Sequence, residues 1–494
     1  MAGASQSPPV QIVLCFDGTG NTFEVNGTDT NILKICRMSP RSDHQLVYYQ
    51  PGIGTEITPG SLAATTLKKS SRLGGSKTLS QALGKSFDRH VLGGYRFLMR
   101  HYRSDGNIYI FGFSRGAYTA RFLAEMLDYV GLLGPDNEEM IPFIWDAFSR
   151  WKLTRYNGDT EKGSWEQMQA KQFMYSCRDT FCRPMTRVRF LGLFDTVNSV
   201  ADFEINNDDS SSARVIRHAV SIDERRVKFQ PVLLPRSRGG FGRKTAVPAV
   251  NSSPEEDGGT EDSENAGKEA SKAFGQTPNA DAQTEAPDED DEVQDVQEVW
   301  FPGSHADIGG GFSVEEGEAW QLSHAPLVWM VQEAQRAGLE FDQEKLQLYN
   351  CLGEEHLDPS SVARFRHALV TSSAKGALHD RLGFGTGLSA VSVLAWRFME
   401  YIPIRRASLM ESGNWELIHW PLHRGYPRDM PLDAEIHGSA IHRMQKDPNY
   451  RPGNVIVGGG GRGVKRAPEA YGIGNLKVHS HEGDLVRHTY VQNR

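Results

Sequence analysis

Residues 111–120 read FGFSRGAYTA, and within them Gly112-Phe113-Ser114-Arg115-Gly116 spells G-x-S-x-G. A serine hydroxyl is a weak nucleophile until a base takes its proton, and the base in turn needs a carboxylate to orient it. Both later groups occur, each just beyond an apolar run: Asp195 in Phe190-Leu-Gly-Leu-Phe-Asp-Thr-Val, and His305 in Trp300-Phe-Pro-Gly-Ser-His-Ala-Asp-Ile-Gly-Gly-Gly. The order Ser, Asp, His along the chain is that of a nucleophile presented on a strand-to-helix elbow. The chemistry this predicts is acyl transfer through a covalent ester at Ser114, with His305 as base and Asp195 as its orienting acid.

Other choices compete for these roles. Asp307 is two residues beyond His305 and more often such a neighbour shapes the loop. Asp17 follows the first apolar run and could also face the site. His218, grouped with Arg214 and Arg217 on what reads as a helix face, is expected to be a surface or packing residue. Acyl transfer also needs N–H donors for the developing oxyanion. The backbone of Arg115 is one expected donor, and Gly18 or Thr19, in Asp17-Gly18-Thr19-Gly20-Asn21, is the second. That loop lacks the third glycine of a dinucleotide site. No cofactor, no metal and no nucleic-acid partner is expected.

These side chains need a scaffold that brings distant residues to one rim. Short apolar runs ending in polar residues, with helical periodicity between them, are the signature of parallel strands buried on both faces. The runs are Gln11–Phe16, Asn107–Phe113, Val188–Phe194 and Val299-Trp300-Phe301. Helices are expected over Leu83–Arg103, Ala117–Tyr129, Ala213–Ala219 and Pro326–Ala337. The fold class is therefore α/β, resembling an α/β-hydrolase, with a mostly parallel doubly wound sheet whose ligand crevice lies beyond the strand ends. The glycines at 112 and 116 fit a turn that brings strand and helix backbones too close for a Cβ.

Residues 10–340 read as the catalytic domain, interrupted by a disordered acidic insertion at 246–298, and 341–494 as a C-terminal cap or accessory region. Between Glu255 and Glu298 sixteen acidic residues face only Lys268 and Lys272. That segment carries −14 of a chain whose net charge is −8, which leaves +6 elsewhere. A loop of this composition is expected in solvent, where it could hold a protein partner. The five cysteines, Cys15, Cys36, Cys177, Cys182 and Cys351, lack paired C-x-x-C spacing and suggest a reducing, cytoplasmic setting. The apolar stretch Leu388–Phe398 is too short to span a bilayer. A core helix is its ordinary reading, and a lid or peripheral membrane contact over 388–404 the other.

FDGTGN, GFSRGAYTAR, FLGLFDTV and WFPGSHADIGGG, in that order, resemble the α/β-hydrolase family of type VI secretion phospholipase effectors and their mostly fungal relatives of unknown function. Arg121 and His218-Ala-Val-Ser-Ile-Asp-Glu-Arg join the resemblance, which covers about residues 10–340. It implies a Ser-His-Asp esterase acting on lipid or phospholipid acyl esters, with Ser114 as nucleophile, Asp195 as acid and His305 as base. The alternative is a catalytically inactive binding or scaffold protein on a hydrolase fold, recruited through the acidic loop.

Overall fold

Residues 11–16, QIVLCF, alternate between two apolar faces, and a strand with both faces apolar must lie between two layers. The computed structural model describes residues 9–18, 28–52, 76–154, 161–197, 211–235, 294–314, 318–386, 388–410, 415–458 and 464–493. In it strand β1 (Gln11–Phe16) lies inside the largest sheet among the described residues. The other strands are β2 (Gln45–Gln50), β3 (Asn107–Phe113), β4 (Phe190–Phe194), β5 (Val215–Ser221), β6 (Asp295–Phe301), β7 (Glu435–His437), β8 (Leu476–Ser480) and β9 (Thr489–Gln492). Their spatial order is β8-β9-β7-β6-β5-β4-β3-β1-β2. Every pairing from β2 through to β7 is parallel, and β9 pairs antiparallel with both β7 and β8.

The alternation of β1 decides what each layer holds. Ile12, Leu14 and Phe16 point into one cluster with Ile108 and Ile110 of β3, covered by helices α2 (Ser76–His101), α3 (Arg115–Val130), α4 (Ile141–Thr154) and α5 (Glu161–Phe181). Val13 and Cys15 point into the other with Tyr109, Phe111 and Phe113, covered by α1 (Asn31–Met38) and, after the short helix α6 (His305–Gly309), by α7 (His324–Arg336). Phe87, Val91, Tyr95, Leu98 and Tyr102, at helical spacing, are all buried in the first cluster. Each large apolar side chain so enclosed contributes about 1.5–3 kcal/mol. The sheet is thereby held rigid from both sides.

From β1 the chain goes first to β2 on one side and then to β3 on the other, so β1 and β3 flank a point where strand order reverses. Crevices form beyond the carboxyl ends of strands at such a point. Ser114 follows β3 and Asp17 follows β1, side by side. Two glycines permit this. A Cβ on Gly112 would lie 2.5 Å from Ala117 Cα, and one on Gly116 would lie 2.3 Å from the Phe16 carbonyl oxygen. Both contacts are with backbone, which cannot swing aside.

Four expectations need correction. Residues 213–219 do not form a helix: Val215–Ser221 is β5, paired in parallel with β4 and β6. Arg217 and His218 gave the run a helical look, yet both are buried and paired with acids on other elements, Arg217 with Glu333 of α7 and His218 with Glu298 of β6. The acidic insertion ends earlier than 298, because β6 begins at Asp295 in register with Val215, and Asp295 and Glu298 answer Arg217 and His218. Residues 246–293 of the insertion, with 236–245 before it, lie outside the described residues. The expected division near residue 340 does not divide the sheet, since β7, β8 and β9 come from beyond it and extend it. Leu388–Phe398 is not a core helix: α9 (Ala390–Met399), which follows α8 (Pro359–Lys375), buries Val393 while leaving Val391, Leu394 and Phe398 exposed. Among the described residues no helix is long and apolar enough to cross a membrane.

The glycine argument can be tested directly. In urea titrations Gly116→Ala should lose at least about 2 kcal/mol of stability, from backbone overlap that no rotamer relieves. Gly134→Ala, where a Cβ would meet nothing nearer than 3.7 Å, should stay within about 0.5 kcal/mol of wild type.

Candidate active site

Ser114 sits between β3 and α3 with φ 58° and ψ −125°, a left-handed conformation costing a non-glycine residue about 1–3 kcal/mol. The surrounding backbone fixes it. Its N–H donates to the Phe194 carbonyl at 3.0 Å, and its own carbonyl accepts from Ala117 at 3.1 Å. The strain turns the hydroxyl out of the sheet and towards the chain segment that follows β6.

That segment carries His305 as the first residue of α6. Its Nε2 lies 2.8 Å from Ser114 Oγ, and its Nδ1 lies 2.5 Å from Asp195 Oδ2. The imidazole is wedged between the rings of Phe113, at 4.8 Å, and Phe229, at 4.9 Å. Gly309 makes room for this: a Cβ there would come within 2.1 Å of the Phe113 ring. Since Asp195 can only accept when ionised, Nδ1 carries the proton and Nε2 is left to accept from the serine.

Asp195 follows β4 with φ 40° and is fully buried. Burial alone would push its carboxyl up. Arg428 and His305 outweigh that and hold it well below the usual carboxylate range. Arg428 Nη1 donates to Oδ1 at 2.6 Å and Nη2 to Oδ2 at 2.9 Å, while the Ser221 N–H donates to Oδ1 at 2.8 Å. Arg428 is 1 % exposed, and its guanidinium also donates to the carbonyls of Ser221 and Phe229. A carboxylate clamped by this planar fork has almost no freedom to rotate away from the imidazole.

The rival residues are held elsewhere. Asp307 accepts from the Ser304 N–H at 2.9 Å and the Ser304 hydroxyl at 3.0 Å, and its other oxygen meets His379 Nδ1 at 2.7 Å. It braces the turn that aims His305. Asp17 accepts from Thr30 Oγ1 at 2.7 Å, Tyr49 Oη at 2.8 Å and the Gly18 N–H at 2.7 Å. The amide of Gly18, expected to face an oxyanion, is thus directed at Asp17, and Thr19 lies outside the described residues. Arg115 is the first residue of α3, where helix amides point out of the N-terminus beside Ser114. His218 is buried on β5, not at the surface, with Nδ1 2.9 Å from Glu298 and Nε2 accepting from the Thr196 N–H at 3.2 Å.

Two site residues escaped the sequence reading. Arg428 lies in Gly425-Tyr-Pro-Arg-Asp, and no spacing ties it to Asp195. Glu224 accepts from the His305 N–H at 3.3 Å and is paired with Arg226 through both oxygens. Burial raises the Glu224 carboxyl, but Arg226, with Arg428 and His305, overrides this and holds it at about 2. The acid-base run Asp223-Glu-Arg-Arg directly after an apolar strand was the signal for Glu224. Among the described residues no three or more His, Cys, Asp or Glu cluster as metal ligands.

A family model described as "T6SS, Phospholipase effector Tle1-like, catalytic domain" matches residues 10–333. The chain is 26 % identical over 558 aligned positions to uncharacterized protein YEL023C of Saccharomyces cerevisiae, covering 90 % of this chain and 80 % of the relative. Among solved structures it is similar to the Tle1 effector bound to the VgrG spike of the type 6 secretion system, with 14 % identity and a TM-score of 0.32 over 86 % of this chain and 90 % of that one.

The clamp on Asp195 makes a measurable prediction. Arg428→Met strands a buried carboxylate and should cost about 3–5 kcal/mol in denaturant unfolding. Adding Asp195→Asn removes the stranded charge, so the double variant should be more stable than Arg428→Met alone. Strictly additive stability losses would contradict the clamp.

Proposed function

Because this chain belongs to the Tle1-like phospholipase effector catalytic-domain family, we propose that it is a serine hydrolase of α/β-hydrolase fold that cleaves carboxylic esters of lipids or phospholipids. The observation that carries the reading is the 2.8 Å approach of His305 Nε2 to Ser114 Oγ while Nδ1 is engaged by Asp195. An inactive scaffold would have no need of that approach. Ser114, Asp195 and His305 all come from 10–340, the proposed catalytic domain, and the region beyond supplies the arginine that holds the acid.

In this mechanism Ser114 Oγ attacks the ester carbonyl carbon as its proton passes to His305 Nε2. The imidazolium that forms is stabilised by the Asp195 carboxylate, which stays ionised. The carbonyl oxygen, now an oxyanion, receives the Arg115 N–H at the start of α3. Collapse breaks the bond to the alcohol, which leaves with the proton from His305. Water then attacks the acyl-serine, giving a proton to His305, and the fatty acid departs as Ser114 is restored. Phe113 and Phe229, flanking the imidazole, offer the apolar wall that an acyl chain requires.

A fluorophosphonate probe tests the nucleophile. Wild type should be labelled, Ser114→Ala should not, and Asp195→Asn should label and turn over roughly three to four orders of magnitude more slowly through the wrong imidazole tautomer. Undiminished labelling of Ser114→Ala would place the reactive group elsewhere.

A further inference from the structure

Helix α9 has two unlike faces. Val393, Trp396 and Glu400, three and four residues apart, point inward: Val393 and Glu400 are buried, and the Trp396 ring meets Phe229 at 5.7 Å. Phe229 is the ring that packs on His305. Glu400, at the end of the helix, fastens it to the same wall by accepting from the Val227 N–H at 2.8 Å and from His423 Nδ1 at 2.6 Å. The opposite stripe is apolar and exposed: Val391 at 77 %, Leu394 at 57 %, Phe398 at 69 % and, just past the helix, Tyr401 at 60 %. Phe384 and Trp420, more than half exposed, carry the apolar surface onto the adjoining loops.

Cations gather around this stripe. Arg397 projects from α9, bonded to the Leu382 carbonyl and stacked over Phe384 at 4.4 Å. Arg381 lies in the same turn against Phe312, in the repulsive field of Arg226. The acids nearest Arg381, Asp307 and Glu224, are already engaged by His379 and Arg226. Lys465, bonded to the Arg424 carbonyl, is pushed down by burial and by Arg225 and Arg397. Asp380 is taken by Arg225, and Glu400 by His423. Among the described residues Arg381, Arg397 and Lys465 take part in no ion pair, so like charges collect beside an apolar stripe with their counter-charge missing. A protein partner could cover the apolar residues alone; an anionic lipid interface answers both features together.

We propose that the outer face of α9, with Phe384, Tyr401 and Trp420 and the surrounding Arg381, Arg397 and Lys465, docks the protein onto the interface of an anionic phospholipid bilayer. At ten residues α9 is about 15 Å long, half of what a hydrocarbon core requires, so it lies in the plane of the interface. The inference rests on the lipid-esterase reading for its purpose, since it places the helix that packs on Phe229, the ring against His305, at the membrane, but its test does not depend on catalysis.

The full-length protein is mixed with vesicles of phosphatidylcholine alone or of phosphatidylcholine with phosphatidylserine, and binding is read by co-flotation. Wild type and Ser114→Ala should both float, more strongly with phosphatidylserine and less at high salt. The double variant Leu394→Ser/Phe398→Ser should bind at least about tenfold more weakly, yet hydrolyse a short water-soluble ester within about twofold of wild type. Lys465→Glu should lose much of the preference for phosphatidylserine. Wild-type protein that stays with neither vesicle, or a double variant that floats like wild type, would overturn the proposal. So would a wild-type dimer that the double variant dissolves while vesicle binding is unchanged, because the stripe would then belong to a second copy. Flotation without any ester hydrolysis would sink the catalytic reading and leave the docking face standing.

Discussion

A negative charge with no access to water sits at the centre of this molecule. The Asp195 carboxylate is fully buried, and an isolated ion there would cost several kcal/mol even after the protein relaxed around it. It is tolerated because its oxygens meet four donors: the Ser221 N–H, two nitrogens of Arg428 and Nδ1 of His305. These come from β5, from the segment before β7 and from the turn after β6. The requirement to satisfy one carboxylate therefore fixes how three parts of the chain meet at the rim of the sheet. The imidazole is held in the tautomer that leaves Nε2 facing the serine.

Much of this was legible in the sequence, for definite reasons. Strands buried on both faces must be apolar along their length and must end where the chain meets solvent, so the polar residues after Phe113, Phe194 and Phe301 could be read as strand ends. The glycines flanking Ser114 could be read as backbone contacts. What stayed hidden involved pairing across distance. Arg217 and His218 disguised β5 as a helix because each has its acid on another element, Glu333 and Glu298. Asp295 and Glu298 passed for loop charge because their partners were unknown. Arg428 reaches Asp195 across 233 positions, and nothing local distinguishes it from other arginines. A period-based reading finds faces, and it cannot find the opposite charge that makes burial of an ion tolerable.

The same limit explains the misjudged stretch near residue 390. Its apolar residues suggested a core helix, but a ten-residue helix cannot bury both of its sides against one wall. The inner side packs, through Trp396, on Phe229, the ring against His305, and the outer side has no protein over it among the described residues. The element braced on that ring is thus also the one that would meet an interface. The surplus of positive charge outside residues 255–298 collects partly on that side.

Proton NMR of the His305 Nδ1–H tests the central claim most directly. With Asp195 ionised and clamped by Arg428, that proton should give a strongly downfield, slowly exchanging resonance at neutral pH, and it should vanish in Asp195→Asn and in His305→Ala. If the folded wild-type protein shows no such resonance, then the buried carboxylate does not hold the base and the account fails.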